Sequence, residues 1–370
     1  MKKIIGLALI CLLVFSSLIA CDGREKLYVL NWDEYLDEEL IDEFELEYNC
    51  KVIYNIAESN EIMYSQLESE YAPYDVVFPS DYMIAQMRSS NNKTLIKEID
   101  FTKLEHYDES LFDDNLMALI NRDCVDIKNY FVPYFWGSLG VMYNTDILNE
   151  EQITQIQTDG FKVLFDNNFA KSTGNRVAMY ASSRDSIASA LLSMGLSLNT
   201  QNVEDILRAE SLLKQVSYKA WATDDLKLGV ASGKYAYSLV YSGDFFDVLY
   251  STLEEEEAEV NFDIYCPEDG NNVFFDGMVI PSICQNEALA YKFIDFMITY
   301  ENSLANAQFV GYCPTLKSVY DTIVLDPDFE DVASHAAYYP GDIRNGEVYQ
   351  YLGSEIYNLY EEIYKRVNAG

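Results

Sequence analysis

Two spacings of apolar residues alternate along this chain of 370 residues. Short runs rich in Val, Ile, Tyr and Phe predict strands over 26–30, 51–56, 74–78, 235–241, 260–265 and 273–280. The stretches 132–136 and 140–143 are extended and apolar too. Between the strands the spacing lengthens to that of a helix with one apolar face. Leu40, Ile41, Phe44 and Leu46 mark a helix over 38–48, and Ser59 caps one over 60–70. Ile206, Leu207, Leu212 and Leu213 mark another over 203–216. Residues 287–309 and 354–367 are largely helical in pattern. Strands alternating with helices predict an α/β fold. No internal repeat or low-complexity tract interrupts it.

The first twenty residues follow a different rule. Lys2 and Lys3 precede an apolar run from Ile4 to Phe15, shorter than the ~20 residues of a spanning helix. It ends in Leu18-Ile19-Ala20-Cys21, which resembles a bacterial lipobox. That resemblance implies a signal peptide over 1–20, cleavage before Cys21, and lipid on the Cys21 sulfur. An ordinary secretory cleavage near Ala20 is the alternative. Residues 21–25 would then be a short tether, leaving the body exported and held at the membrane.

The remaining 350 residues exceed one typical domain, so two are expected. The formal charge is −36. Without Lys2 and Lys3 the chain keeps 23 Lys and Arg against 61 Asp and Glu, a net −38. Such a field repels nucleic acid and anionic lipid and concentrates cations. Residues 254–259, acidic at five of six positions, read as a solvated surface run. Beyond Cys11 and Cys21, five cysteines remain, an odd number with no CxxC, so at least one is free. His106 and His335 are the only histidines, and no metal-ligand spacing occurs. No cofactor or metal is expected.

Two strand ends carry the candidate chemistry. Leu27-Tyr28-Val29-Leu30 runs into Asn31-Trp32-Asp33-Glu34-Tyr35, and residues 74–78 run into Pro79-Ser80-Asp81-Tyr82. Ligands of open α/β sheets sit outside the carboxyl ends of strands. Aromatic faces beside carboxylates suit an organic cation with an apolar body. The alternative makes Asp33 and Asp81 helix N-caps.

The ordered set NWDEY, ESNE, YDVVFPSDY, VPYFWG, FFDGMVIP and GYCPT resembles the bacterial polyamine-binding proteins. These are the spermidine/putrescine-binding (PotD-type) components of ABC importers. The resemblance implies a type II periplasmic-binding-protein fold, with two lobes closing on a ligand about crossing hinge strands. It places residues 26–138 and 277–318 in the N-terminal lobe, and 139–276 and 319–370 in the other. It also implies ligand-binding roles for Trp32, Tyr35, Ser80, Tyr82, Asp185, Thr223, Asp276 and Tyr312. Tyr241 and Phe274 stand where tryptophans are frequent, and Tyr349 falls near a glutamine position. Ser182 falls where some members carry a second acid, while Asp33 adds one beside Trp32. Asp185 keeps an alternative as the N-cap of a helix beginning near Ser186. Tyr312 and Trp136 could pack the hinge.

The function so implied is an extracytoplasmic lipoprotein that binds polyamines and delivers them to ABC permease subunits. Its expected partners are the ligand, the permease and the membrane through its lipid, with no nucleic acid and a monomeric state. The alternatives are the same fold binding another organic cation or small solute, or a sensor or surface protein. An enzyme is not expected. No GxSxG stands on a strand-to-helix turn, and histidine is scarce.

Overall fold

The computed structural model describes residues 23–69, 73–89, 93–223, 225–253 and 259–368. The expected signal peptide 1–20, the expected lipidation site at Cys21, the end of the helix expected over 60–70 and most of the 254–259 acidic run lie outside them.

The first sheet is built from β1 (Glu25–Asn31), β2 (Cys50–Ile56) and β3 (Val76–Val77). It is parallel, with the order β2-β1-β3. Parallel neighbours need crossovers, and the helices Glu38–Tyr48 and Asn60–Glu68 supply them. Ser59 caps the second as expected, accepting a hydrogen bond from the Ile62 amide. Asp37, not Asp33, caps the first, and its side chain accepts from the Glu39 amide. That helix buries Leu40 and Phe44 and ends at Asn49 in the left-handed region.

The second sheet centres on β4 (Val132–Asn144), in which all thirteen residues are buried. The two extended stretches expected at 132–136 and 140–143 are therefore one strand. The other members are β5 (Val177–Tyr180), β6 (Ala220–Ala222), β7 (Tyr237–Tyr241), β8 (Phe262–Tyr265), β9 (Val273–Met278) and β10 (Cys313–Pro314). The main path is β10-β4-β7-β5-β6, and β8 and β9 also pair with β4. One half of β4 takes β9 and β10, and the other takes β7 and β8. β9 and the residue after it reach the first sheet as well. Val279 bridges Val77, Asp276 bridges Ser80, and the Gly277 amide donates to the Pro79 carbonyl at 3.0 Å.

The result is the two-lobe, type II α/β fold, with helices packed on two sheets. Residue 138 lies within β4 and residue 276 within β9, so both expected crossing points fall inside continuous strands. Residue 318 lies within the helix Lys317–Leu325. The helical stretch expected over 287–309 is two helices, Glu287–Met297 and Tyr300–Val310. Thr299 separates them, extended in backbone and capping the second through its side chain. Cys50, Cys124, Cys266, Cys284 and Cys313 are all free thiols. Among the described residues no helix is long and apolar enough to cross a membrane.

Asp75, only 1% exposed, ties the first sheet to the helix Glu287–Met297. Its Oδ2 accepts the Tyr28 amide at 3.0 Å, and its Oδ1 accepts the Gln285 and Asn286 amides, both at 2.9 Å. Removing a buried acceptor leaves each donor unsatisfied at ~1–3 kcal/mol. Asp75→Ala should therefore destabilise the protein by about 3 kcal/mol or more, read from the urea midpoint. A loss under about 1 kcal/mol would contradict this account of the junction.

Candidate functional site

A cavity of about 480 Å³ opens at the carboxyl ends of β1 and β3 and is faced by β7 and β9. All eleven residues singled out from the sequence line it: Trp32, Asp33, Tyr35, Ser80, Tyr82, Asp185, Thr223, Tyr241, Phe274, Asp276 and Tyr312. Trp32 to Tyr35 follow β1, and Ser80 and Tyr82 follow β3. Asp185 sits in the first turn of the helix Ser183–Ser193, after β5. Tyr241 ends β7, Phe274 and Asp276 lie in β9, and Tyr312 just precedes β10. Asp33 and Thr223 are exposed at the cavity's edge.

Asp276 is 5% exposed. Its Oδ2 accepts a hydrogen bond from the Tyr35 hydroxyl at 2.7 Å, while its Oδ1 is buried with no hydrogen-bond partner. Burial pushes its pKa from the ordinary 3.8 up to about 6, with the Ser80 and Tyr35 hydroxyls acting the other way. Tyr35 is itself fixed, since the Tyr134 hydroxyl donates to its carbonyl at 2.7 Å. Asn306 donates to that Tyr134 hydroxyl, also at 2.7 Å.

The other acids are held in the same way. Tyr241 and Tyr349 both donate to Asp185 Oδ1 at 2.7 Å. Tyr312 donates to Asp244 at 2.8 Å, and Tyr82 to Glu61 at 3.2 Å. Burial first, then the neighbouring carboxylate, raises the hydroxyl pKa of Tyr35, Tyr82, Tyr241, Tyr312 and Tyr349 well above the ordinary value. These hydroxyls stay protonated and donate. Burial also raises Glu61.

The rings form a connected wall. Tyr241 meets Phe274 edge-on at 4.9 Å between centroids, and Tyr35 meets Tyr312 likewise at 4.9 Å. Phe274 and Tyr312 are 6.5 Å apart. Tyr312 packs over Gly243, where an added Cβ would lie 2.2 Å from the ring. Only glycine leaves room for that ring. Trp136 lies outside the cavity, buried in β4, with Nε1 donating to the Pro314 carbonyl at 3.1 Å.

Three alternative cap readings are set aside. Asp185 is no N-cap, because Ser182 caps its helix by accepting the Asp185 amide at 3.2 Å. Asp33 is displaced as a cap by Asp37. Asp81 is the first residue of the helix Asp81–Ser89 and is fully buried, with Oδ2 unpartnered. Burial holds its carboxyl well above the usual range.

Asn60, Glu61, Asp244, Lys227 and Tyr349, to which the sequence assigned no ligand role, line the same cavity. Asn60 donates to Ser80 Oγ and accepts the Ser80 amide, both at 3.0 Å, which orients that hydroxyl. Asn60 and Glu61 stood in the quoted ESNE block, and Tyr349 near its loosely aligned position. Lys227 carried no signal.

A two-lobe α/β chain with a cavity at its strand ends has the form of an extracytoplasmic binding protein. A model of the family described as bacterial extracellular solute-binding protein matches residues 39–337, and the chain belongs to that family. It is 27% identical over 354 residues to the spermidine/putrescine-binding periplasmic protein of Escherichia coli, covering 94% of this chain and 93% of that one. It is 27% identical over 308 residues to the putrescine-binding periplasmic protein SpuD of Pseudomonas aeruginosa, covering 81% and 82%. Among solved structures, a putative spermidine/putrescine ABC transporter from Listeria monocytogenes superposes with a TM-score of 0.77 at 30% identity, covering 93% of this chain and 98% of that one. The family consists of solute-binding components of transporters, not enzymes, and the relatives are periplasmic proteins.

The raised pKa of Asp276 has a measurable consequence without ligand. Between pH 3.8 and about 6 the folded protein keeps a proton at Asp276 that the unfolded chain releases. The folded state then binds more protons, so its stability falls as pH rises through that window, by roughly 3 kcal/mol at most. Asp276→Asn should lose this component. Urea midpoints of both proteins at pH 4 and pH 7 test it, and an identical pH response would contradict the assignment.

Proposed function

We propose that this chain captures a polyamine, spermidine or putrescine, in the cleft and delivers it to the permease subunits of an ABC importer. In this reading it works outside the cytoplasm as a monomer, held to the membrane by lipid on Cys21. Its strongly acidic body disfavours nucleic acid. Residues 26–138 with 277–318 close as one body against 139–276 with 319–370. The observation that carries the reading is the buried, unpartnered Oδ1 of Asp276 at a cavity lined by tyrosines and further carboxylates.

A polyamine is a string of ammonium groups separated by methylenes. Its heads need acceptors, and its methylenes need flat apolar walls. Asp276 and Asp185 offer the acceptors, already oriented by tyrosines. Trp32, Tyr35, Tyr82, Tyr241, Phe274 and Tyr312 offer ring faces and edges, each cation–ring contact contributing ~0.5–2 kcal/mol. Ser80 and Thr223 add hydroxyls. An ammonium buried without partners would cost several kcal/mol, so the acids are indispensable. The names of the relatives support the same ligand class.

Equilibrium dialysis with labelled spermidine and putrescine should show retention at micromolar concentration, and retention of neither would end the proposal. Competition against the bound amine separates other organic cations. Asp276→Asn should weaken binding about tenfold to a hundredfold, the value of a charge-assisted hydrogen bond, while circular dichroism stays unchanged. Unaltered affinity in that variant would remove Asp276 from the contact set.

Affinity should also fall with added salt, because screening weakens the attraction of acid for ammonium. It should fall again as pH drops below about 6, since protonation neutralises Asp276. Calorimetry across both variables would show this. Affinity indifferent to ionic strength would speak against a polycation.

A further inference from the structure

One cavity-lining group has the charge of the proposed ligand rather than its complement. Lys227, on the short helix Asp225–Ala231, has a side chain only 11% exposed. Its Nζ lies 2.6 Å from Asp247 Oδ2 and 3.9 Å from Glu34 Oε2. Glu34 belongs to the loop after β1 and sits in the left-handed region, with φ of 50°. Asp247 belongs to the helix Ser242–Leu253, one turn beyond Asp244, whose oxygen holds Tyr312. Glu34, Lys227, Asp247 and Asp225 all line the cleft. At this end, acids from two separate segments converge on an ammonium supplied by the chain itself.

We propose that Lys227 is a specificity-determining residue, a tethered ammonium that fills one end of the cleft and limits how many amines the ligand can carry. This rests on the polyamine reading above. The hydrogen bonds to Asp276 and Asp185 come from neutral tyrosine hydroxyls, and one oxygen of Asp276 has no partner. Asp247 already holds a cation. A third ammonium directed toward Asp247 or Glu34 meets Lys227 at close range, where like charges repel strongly in a partly buried site. A diamine that ends at Asp276 and Asp185 makes no such demand. The bias therefore runs against triamines and toward diamines, and it comes from repulsion, a common route to selectivity.

The test is isothermal titration of putrescine and spermidine into the full chain. The proteins are wild type, Lys227→Gln, Lys227→Met, Lys227→Arg and Lys292→Gln. Lys292 is exposed, lies over the Tyr48 ring at 5.0 Å, and does not line the cavity, so its loss reports net charge alone. Lys227→Gln and Lys227→Met should raise the affinity for spermidine relative to putrescine by about tenfold or more. Lys227→Arg keeps the charge and Lys292→Gln keeps the site, so both should hold the wild-type ratio within about twofold. An unchanged ratio in Lys227 variants that still bind putrescine and melt cooperatively would overturn the role of Lys227 and leave the polyamine reading intact. An equal shift in Lys292→Gln would overturn it too, by assigning the effect to net charge. Failure of wild type to bind either amine would overturn the polyamine reading and this role with it.

Discussion

A carboxylate taken out of water must either meet a compensating charge or accept a proton, and Asp276 stands at that choice. One of its oxygens is satisfied by Tyr35 and the other by no protein group. The position follows from the backbone. β9 pairs with β4 along one edge, while Asp276 itself bridges to Ser80 at the end of the first sheet. Tyr35 reaches it because Tyr134 and Asn306 anchor the loop after β1. The acid is thus set by both sheets at once.

The choice of partners separates the cleft acids from acids elsewhere in the chain. Glu287 takes Lys97 and Lys103, and Glu210 takes Arg366 and Lys214. Hydrogen bonds from those cations lower both carboxyls to about 2. In the cleft, Asp276, Asp185, Asp244 and Glu61 are held instead by tyrosine hydroxyls. A hydroxyl fixes the geometry of a carboxylate and leaves its charge uncancelled, so the site stays short of positive charge. Asp247 departs from this pattern, with Lys227 as its partner. Fixed neutral donors also reduce the ordering that a ligand would have to impose.

Much of this was legible in the residue pattern. Strands at 26–30, 51–56 and 273–280 and the helix at 38–48 follow from local periodicity, which survives folding where one face of an element is buried. Periodicity failed where burial is complete. β4 is enclosed on both faces, so no alternation carried the reading across 137–139, and its Gly137 and Gly140 each sit where an added Cβ would collide with a neighbour. The break at Thr299 was hidden because both flanking helices are apolar enough to read as one. Within the site, eight of the eleven residues found from the sequence stand in blocks whose order can be compared, and Asp185, Thr223 and Tyr241 lie between those blocks. Those passed over are of two kinds. Tyr349 fell near a glutamine position with no block to anchor it, and it is one of 49 Tyr and Phe residues. Asp244 and Lys227 act through partners distant in sequence, which no local spacing encodes.

The burial of Asp276 also bears on closure. The acid lies in the strand that pairs with β4, and the next residue, Gly277, donates its amide to Pro79 in the first sheet. A charge that appears or is neutralised there changes the energy of the joint itself. An unpaired buried carboxylate disfavours any arrangement that seals it from solvent, whereas a bound cation removes that penalty only in the sealed arrangement, where the low dielectric strengthens the pair. In the proposed reading, ligand and closed geometry favour each other through the same oxygen. A ligand shifts such an equilibrium only by its differential affinity for the two states. The unpartnered Oδ1 is a concrete source of that difference, because its need for a cation grows as water is excluded.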